Sequence, residues 1–149
     1  MKYTILFIFL IGFSVQAEAK KTLYIVRHAK SSHEDASLQD FDRPLAERGF
    51  KDAPKVGKRL KNRGINVDLI MSSPSVRTKQ TIKPICEAIG YSYDEIKWNK
   101  KIYRCSGQTY IEQVKSISND YHSVMVVGHN PATTYCANKW QSDTSFQKV

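Results

Sequence analysis

The chain has 149 residues, 41% of them hydrophobic, and a formal net charge of +9 at pH 7. This length suits one compact domain rather than two. The positive charge favours an anionic partner. The basic residues form no single dense tract, however, and no zinc-finger or RNP-like pattern is present, so the sequence predicts no nucleic-acid partner.

Residues 1–19 have the pattern of a secretory signal peptide. Lys2 precedes an uncharged run from Tyr3 to Val15, and small residues follow at Ala17 and Ala19. This order of charged, apolar and small-residue regions is typical of exported proteins, and the run is shorter than a membrane-spanning helix normally needs. We expect a periplasmic or secreted protein with no stable membrane anchor after cleavage. An uncleaved anchor and a buried core strand are the alternatives.

The next segment is a short apolar strand that ends at an Arg-His pair. Leu23–Val26 has the length and the Ile and Val content of a strand, and Arg27 and His28 follow it. In an open α/β sheet, the residues just past the carboxyl end of a strand lie at the ligand crevice. There a histidine can act as a nucleophile and a guanidinium can hold an anion. A polar loop is expected over Ser31–Asp42.

Two helices and two strands are predicted next. The first helix opens near Pro44 and stops at Arg63-Gly64; its apolar residues at helical spacing are Ala53, Val56 and Leu60. Pro54 predicts a kink or a late start in this helix. A strand over Val67–Met71 leads into a helix from about Ser75 to Ile89. The other features of this part are Gly90 as the helix cap, Pro84 as an interruption, and a short strand at Glu95–Trp98.

The last predicted elements are a helix and a strong strand. Thr109 and Glu112 have capping-box spacing, so a third helix is expected to start near there. Ser123–Val127 gives the strongest strand signal, and Gly128-His129-Asn130-Pro131 ends it. Strands that alternate with helices predict a single three-layer α/β/α domain with a mostly parallel central sheet.

Arginines and histidines follow several of these strands. Arg27 and His28 follow the first, Arg77 lies in the opening turn of the helix after the second, and His129 follows the last. Parallel strands end at one edge of the sheet, so these residues can converge on a dianionic phosphoryl group. A neutral His28 would attack, the two arginines would grip phosphoryl oxygens, and a protonated His129 would stabilise charge. Such chemistry needs no metal.

Four segments carry these residues in order: Leu23–Ser32, Asp42-Arg43-Pro44-Leu45 through Arg48-Gly49, Ser72–Thr78, and Val127–Pro131. Together they resemble the histidine phosphatase superfamily, and more closely its small SixA-type phosphohistidine phosphatase branch. The similarity covers roughly residues 23 to 135. It implies that His28 is the nucleophile and that Arg27, Arg77 and His129 form the phosphate pocket. Arg43 matches a family arginine near the mouth of the pocket; a salt bridge that anchors the loop is the alternative role.

The chain departs from the family at the general acid. Many larger members carry a carboxylate before the segment that is here Asn99–Tyr103, whereas this chain has lysines there. A phosphohistidine or phosphoanhydride leaving group needs little protonation, so the change favours such substrates over alkyl phosphomonoesters and disfavours a phosphoglycerate mutase. Glu34, Asp35 and Asp40 are alternatives for the acid.

Location and length are the other departures. SixA-type members are associated with cytoplasmic phosphorelay proteins, which an exported enzyme would not meet. The substrate is therefore left open between a phosphorylated small molecule and a phosphoprotein. The family normally adds a helix and a strand after the position of His129, and Asp143–Val149 looks like the approach to that strand. We therefore expect a domain over residues 20–149 that lacks its last strand or strands.

The leading prediction for the function is a metal-independent histidine phosphatase, that is, a phosphoric monoester or phosphohistidine hydrolase. The alternative is a non-catalytic phosphate-binding remnant of the same fold.

The cysteines and remaining histidines predict no metal site and no cofactor. Cys86, Cys105 and Cys136 match no metal-ligand spacing. In an oxidising compartment one pair can form a disulfide, and three separate structural thiols are the alternative. His33 and His122 have no supporting Cys or Asp cluster.

Overall fold

The computed structural model of the protein describes residues 21–141. The signal peptide expected over residues 1–19 and the strand approach expected at Asp143–Val149 lie outside the described residues. Within residues 21–141, no helix has both the length and the apolar character required to cross a membrane.

Within residues 21–141, four parallel strands form a central sheet, as the sequence predicts. They are β1 (Thr22–Arg27), β2 (Leu69–Ser72), β3 (Lys97–Trp98) and β4 (Ser123–Gly128), in the spatial order β1-β4-β2-β3. The inner strand β4 pairs with both β1 and β2, and its carboxyl end aligns Gly128 with Arg27 and Val127 with Ser72. The register therefore brings three strand ends to one edge of the sheet.

Four helices of the described part of the chain cover the sheet. They are α1 (Glu47–Asn62), α2 (Val76–Ile89), α3 (Gly107–Lys115) and α4 (Ala132–Gln141), with short 3-10 turns at Tyr93–Glu95 and Lys100–Ile102. Helix α2 packs on one face of the sheet and α3 with α4 on the other, while α1 lies against α2. The three-layer α/β/α prediction is confirmed over the described residues.

Alternation along the strands divides the core between the two faces. On one face, Ile70, Met125 and Val127 pack against Ile82 and Ile85 of α2. On the opposite face, the neighbouring strand residues pack against α3 and α4: Leu69, Met71, Val124 and Val126 against Tyr110, Ile111, Val114, Ala132 and Cys136. A strand buried on both faces reads as a continuous apolar run, which is why Ser123–Val127 was recognisable from sequence.

Helix α1 begins at Glu47 and runs through Pro54, so the late start expected from that proline is wrong. Its buried residues include Ala53 and Gly57. A Cβ at position 57 would lie 2.9 Å from the Ala88 Cβ, so α1 and α2 approach closely there. The close packing of α1 against α2 stabilises the helix by more than the loss of the one backbone hydrogen bond that Pro54 cannot donate.

Helix α3 begins at Gly107, two residues before the expected cap. The cap is Ser106, whose hydroxyl accepts a hydrogen bond from the Thr109 N–H at 3.1 Å. The prediction of Thr109 as cap is therefore wrong, because a serine three residues earlier satisfies that amide first. Glu112 instead accepts from the Gln108 side chain.

Backbone hydrogen bonds join the two ends of the loop between β1 and α1 and close it at its base. The Ser32 N–H donates to the Pro44 carbonyl at 2.9 Å, and the Ala46 N–H donates to the Lys30 carbonyl at 2.8 Å. Ser31 also forms an isolated antiparallel bridge with Leu45. We call residues 31–45 the first loop.

Candidate active site

The two predicted histidines meet at the carboxyl edge of the sheet. The centroids of the His28 and His129 rings are 5.0 Å apart, with planes inclined by 55°. The strand ends hold them there, since the His28 N–H donates to the Gly128 carbonyl at 3.1 Å and the Ser73 N–H donates to the Val127 carbonyl at 3.0 Å.

The His28 ring is held in one tautomer by the neighbouring backbone. Its Nδ1 lies 2.7 Å from the Ala29 carbonyl oxygen. A carbonyl only accepts hydrogen bonds, so Nδ1 carries the proton and Nε2 keeps its lone pair. Burial lowers the pKa of His28, the bond to Ala29 opposes that shift, and the charges of Arg77 and Arg27 lower the pKa further. The ring is therefore neutral at pH 7.

His129 is buried more deeply, at 3% exposure. Its Nε2 lies 2.9 Å from the Ser73 hydroxyl, and its Nδ1 has no hydrogen-bond partner among residues 21–141. Burial lowers the pKa of His129 to about 3, and the Arg77 charge contributes. Burial beside the Arg77 guanidinium disfavours a protonated His129 in the free protein. The charge-stabilising role of a protonated His129 stays a prediction.

Arg77 is a buried arginine at the start of α2. It is 4% exposed. Its Nη2 donates to Asp40 Oδ2 at 2.8 Å, and its Nη1 donates to the Asp40 carbonyl. The guanidinium carbon also lies 5.8 Å from the centroid of the Tyr103 ring, which packs edge-on against His129 at 5.3 Å. Arg77 is therefore fixed beside the histidine pair, as predicted.

Arg27 is the exposed arginine of the site. With Lys30 and Arg48 it lines a cleft of about 390 Å³ that contains His28 in its wall. Asp52 also lines the cleft, and it pairs with Arg48 at 3.2 Å. The cleft thus leads to the nucleophile candidate between positively charged side chains.

Arg43 anchors the first loop. It forms a salt bridge of 2.9 Å with Asp40, and its Nε donates to the Ser32 carbonyl at 2.9 Å. A further bond of 3.0 Å joins its Nη2 to the Ser31 hydroxyl. These contacts favour the anchoring alternative, and a direct role of Arg43 in substrate binding stays a prediction.

Three side chains of the site were not assigned from sequence: Ser73, Asp40 as an arginine partner, and Tyr103. The Tyr103 hydroxyl donates to Asp40 Oδ2 at 2.6 Å. This bond and the Arg77 guanidinium hold the pKa of Asp40 well below its usual range, so Asp40 has no proton to give, which argues against it as the general acid. Glu34 and Asp35 are exposed.

No group of three or more His, Cys, Asp or Glu side chains within residues 21–141 is arranged to hold a metal ion. The three cysteines are free thiols. Cys86 packs on the α2 face of the sheet, whereas Cys136 and Cys105 belong to the opposite face. A disulfide between Cys86 and either of the other two would therefore require the sheet to be rearranged.

Two histidines and two arginines lie at the carboxyl edge of the parallel sheet, an arrangement that is chemically suited to an anionic group. The sequence profile of the histidine phosphatase superfamily (branch 1) matches residues 23–100. The chain belongs to this superfamily, as the four motifs predict.

Several proteins are similar in sequence to this chain. An uncharacterized chloroplastic protein of Arabidopsis thaliana is 33% identical over 126 residues, which cover 78% of this chain and 57% of the relative. An uncharacterized protein of Mycobacterium tuberculosis is 32% identical over 112 residues, which cover 75% of this chain and 67% of the relative. The chain thus spans less than two thirds of the length of the Arabidopsis relative.

Solved structures place the chain near the SixA branch. A candidate phosphohistidine phosphatase SixA from Agrobacterium tumefaciens is 30% identical with a TM-score of 0.74, over 81% of this chain and 77% of that one. The protein histidine phosphatase SixA complexed with tungstate has a TM-score of 0.71 at 19% identity, over 85% of this chain and 81% of that one. The latter similarity concerns the fold.

Proposed function

We propose that the protein is a metal-independent phosphatase that hydrolyses its substrate through a covalent phosphohistidine on His28. One observation carries the proposal: the Nδ1 of His28 is tied to the Ala29 carbonyl at 2.7 Å, which leaves Nε2 as a neutral nucleophile. Arg77 and His129 flank that ring. This arrangement matches the requirements of nucleophilic phosphoryl transfer.

In the first step, His28 Nε2 forms a bond to phosphorus as the bond from phosphorus to the leaving group breaks. The leaving group takes the bond electrons and a proton from water. In the second step a water oxygen attacks phosphorus, the P–Nε2 bond breaks, and the water proton passes to solvent. Inorganic phosphate is released and the neutral imidazole is restored. Both steps depend on positioned positive charge around the equatorial oxygens.

The two arginines and His129 take different parts in this scheme. Buried Arg77 holds a phosphoryl oxygen from within, and exposed Arg27 approaches from the cleft. If the Ser73 hydroxyl donates to Nε2 of His129, the proton of that neutral ring lies on Nδ1. The buried Nδ1–H would then donate to an equatorial oxygen without the ring being charged.

The substrate class follows from the leaving group. Asn99–Tyr103 carries no carboxylate, and Asp40 is held ionised, so neither provides a proton to an alkoxide. A phosphohistidine or a phosphoanhydride leaves without that help. The cationic cleft beside His28 suits a leaving group that carries negative charge.

The test is direct trapping of the intermediate. The protein is mixed with acetyl phosphate or a phosphohistidine peptide, quenched in alkali, and analysed by mass spectrometry for phosphate on His28. His28→Ala is expected to lower turnover at least about a thousandfold and abolish the adduct, since the nucleophile is lost. His122→Ala, an exposed histidine next to β4, is the matched control and should retain wild-type rates. Phosphate binding with no adduct would favour the non-catalytic remnant instead.

We also propose that the protein acts in the periplasm or after secretion. The support is the signal-like sequence of residues 1–19. Expression of the full chain in a bacterium followed by N-terminal sequencing of the periplasmic fraction tests this. A start at Lys20, or at Glu18 for the alternative cleavage, is expected; an intact amino terminus in the cytosol would contradict it.

A further inference from the structure

The Asp40 carboxylate in the first loop has several cationic partners. It accepts hydrogen bonds from Arg77 at 2.8 Å, Tyr103 at 2.6 Å and Arg43 at 2.9 Å. Arg104 lies within 3.7 Å of the same group. These partners come from separate parts of the chain, so this one carboxylate connects the first loop, α2 and the segment before α3.

Arg77 depends on this carboxylate for its orientation. The Asp40 carbonyl and carboxylate bind Nη1 and Nη2 respectively, and two bonds from one residue fix the plane of a guanidinium. Asp40 is also the acidic partner of Arg77 within residues 21–141. A guanidinium has five N–H donors, so donors are left for a phosphoryl group after Asp40 is bound.

We propose that Asp40 is a positioning residue that sets the plane of the Arg77 guanidinium for phosphoryl binding, with Tyr103 holding the carboxylate in place. The role rests on the proposed function, in which Arg77 binds the phosphoryl group, and it adds Asp40, which has no part in that reaction scheme. Asp40 acts through Arg77 and does not touch the phosphoryl group.

The hydrogen bonds of the two histidines show whether Asp40 competes with a phosphoryl group for these rings. His28 Nδ1 binds Ala29 and His129 Nε2 binds Ser73, while the buried Nδ1 of His129 has no partner in the described part of the chain. Within residues 21–141 neither histidine ring is hydrogen-bonded to Asp40, although the Asp40 charge acts on both rings. Phosphoryl binding at the histidines would therefore break no hydrogen bond to Asp40.

The experiment measures tungstate as a competitive inhibitor of wild type, Asp40→Asn and Asp42→Asn. Removing a negative charge near an anion site tightens anion binding through simple electrostatics. Asp42 is an exposed residue of the same loop, so Asp42→Asn reports that general effect. Asp40→Asn is expected to bind tungstate roughly tenfold more weakly and to raise KM by a similar factor, because the Arg77 plane is no longer fixed.

Tyr103→Phe provides a second variant that keeps the aromatic packing and loses the hydroxyl that donates to Asp40 and also interacts with Arg77. Its inhibition constant is expected to rise about threefold, since Asp40 is then held less firmly. Thermal unfolding measured beside inhibition separates a local effect from a loss of folding, because a general loss of structure would not change the inhibition constant of the folded fraction.

Two results would overturn the positioning role while the wild type binds tungstate. Asp40→Asn binding tungstate more tightly than Asp42→Asn would show that the carboxylate competes with the anion. Equal binding by the two variants would show that Asp40 does not orient Arg77. A wild type that binds no tungstate would instead remove the phosphoryl pocket itself, and the proposed function with it.

Discussion

The inner and outer halves of the site differ in how they are held. The inner half follows β2 and β4, and its side chains Ser73, Arg77 and His129 are all at most 4% exposed. The outer half follows the edge strand β1, where Arg27 is exposed and His28 is partly buried. The inner half is therefore fixed by the same packing that forms the core, while the outer half is open to solvent.

This difference suggests a division of labour. In the proposed mechanism, the groups that bind the transferred phosphoryl lie inside the protein, where a low dielectric strengthens their effect. The proposed nucleophile, His28, lies at the boundary between core and solvent. Mutations in the inner half should therefore cost more than equivalent mutations in the outer half.

Replacing the two arginines by lysine is expected to give the largest difference between the inner and outer halves. Arg77→Lys is expected to lower kcat/KM about a hundredfold, because lysine keeps the charge but cannot bind Asp40 and a phosphoryl oxygen in one plane. Arg27→Lys should cost about tenfold or less, since an exposed side chain can adjust. Steady-state kinetics on one aryl phosphate, with unfolding temperatures of both variants, checks the comparison. Equal losses of kcat/KM in the two variants would mean that the burial of Arg77 does not make it more sensitive to replacement than Arg27.

The second prediction concerns pH. The pKa of His129 is lowered to about 3, whereas in the unfolded chain the ring takes up a proton near pH 6.5. Below pH 6.5 the unfolded state binds more protons than the folded state, so stability is lost as pH falls from about 6.5 towards 3. The unfolding temperature should decline over this window, and His129→Gln should flatten the decline. NMR titration of the two rings should show His129 resisting protonation to lower pH than the less buried His28.

A smaller effect on kcat/KM is expected at Ser73 of the inner half. Ser73→Ala removes the hydroxyl partner of His129 Nε2 and should lower kcat/KM roughly fivefold, which corresponds to one neutral hydrogen bond. Ser72→Ala is the matched control, because Ser72 is equally buried and its hydroxyl donates to the Ser73 carbonyl rather than to His129. A control that lost as much activity would assign the effect to local packing.

Sequence patterns predicted the sheet and the residues at its strand ends. Ser123–Val127 is predictable as a strand because a strand buried on both faces is a continuous apolar run. Gly90 is predictable as a helix cap because its φ of +75° favours glycine. The capping residue of α3 was missed, since Ser106 and Thr109 both have suitable side chains and their choice depends on packing.

The partners of Arg77 could not be predicted in the same way. Asp40 and Tyr103 lie 63 residues apart and meet across elements without periodic pattern. The sequence predicts Asp40 only as a possible acid. Its lowered pKa depends on the Tyr103 hydroxyl and the Arg77 guanidinium, which the fold brings to it, and no sequence spacing predicts these contacts.

The closed base of the first loop has a consequence for divergence among relatives. Hydrogen bonds between Ser32 and Pro44 and between Lys30 and Ala46 seal the loop at its base. The Val76 N–H also fixes the Phe41 carbonyl next to Asp40. Residues 33–39 are thus enclosed between fixed points, and a change in their length costs little closure entropy. Insertions there can alter which substrates are admitted while the reacting groups keep their distances.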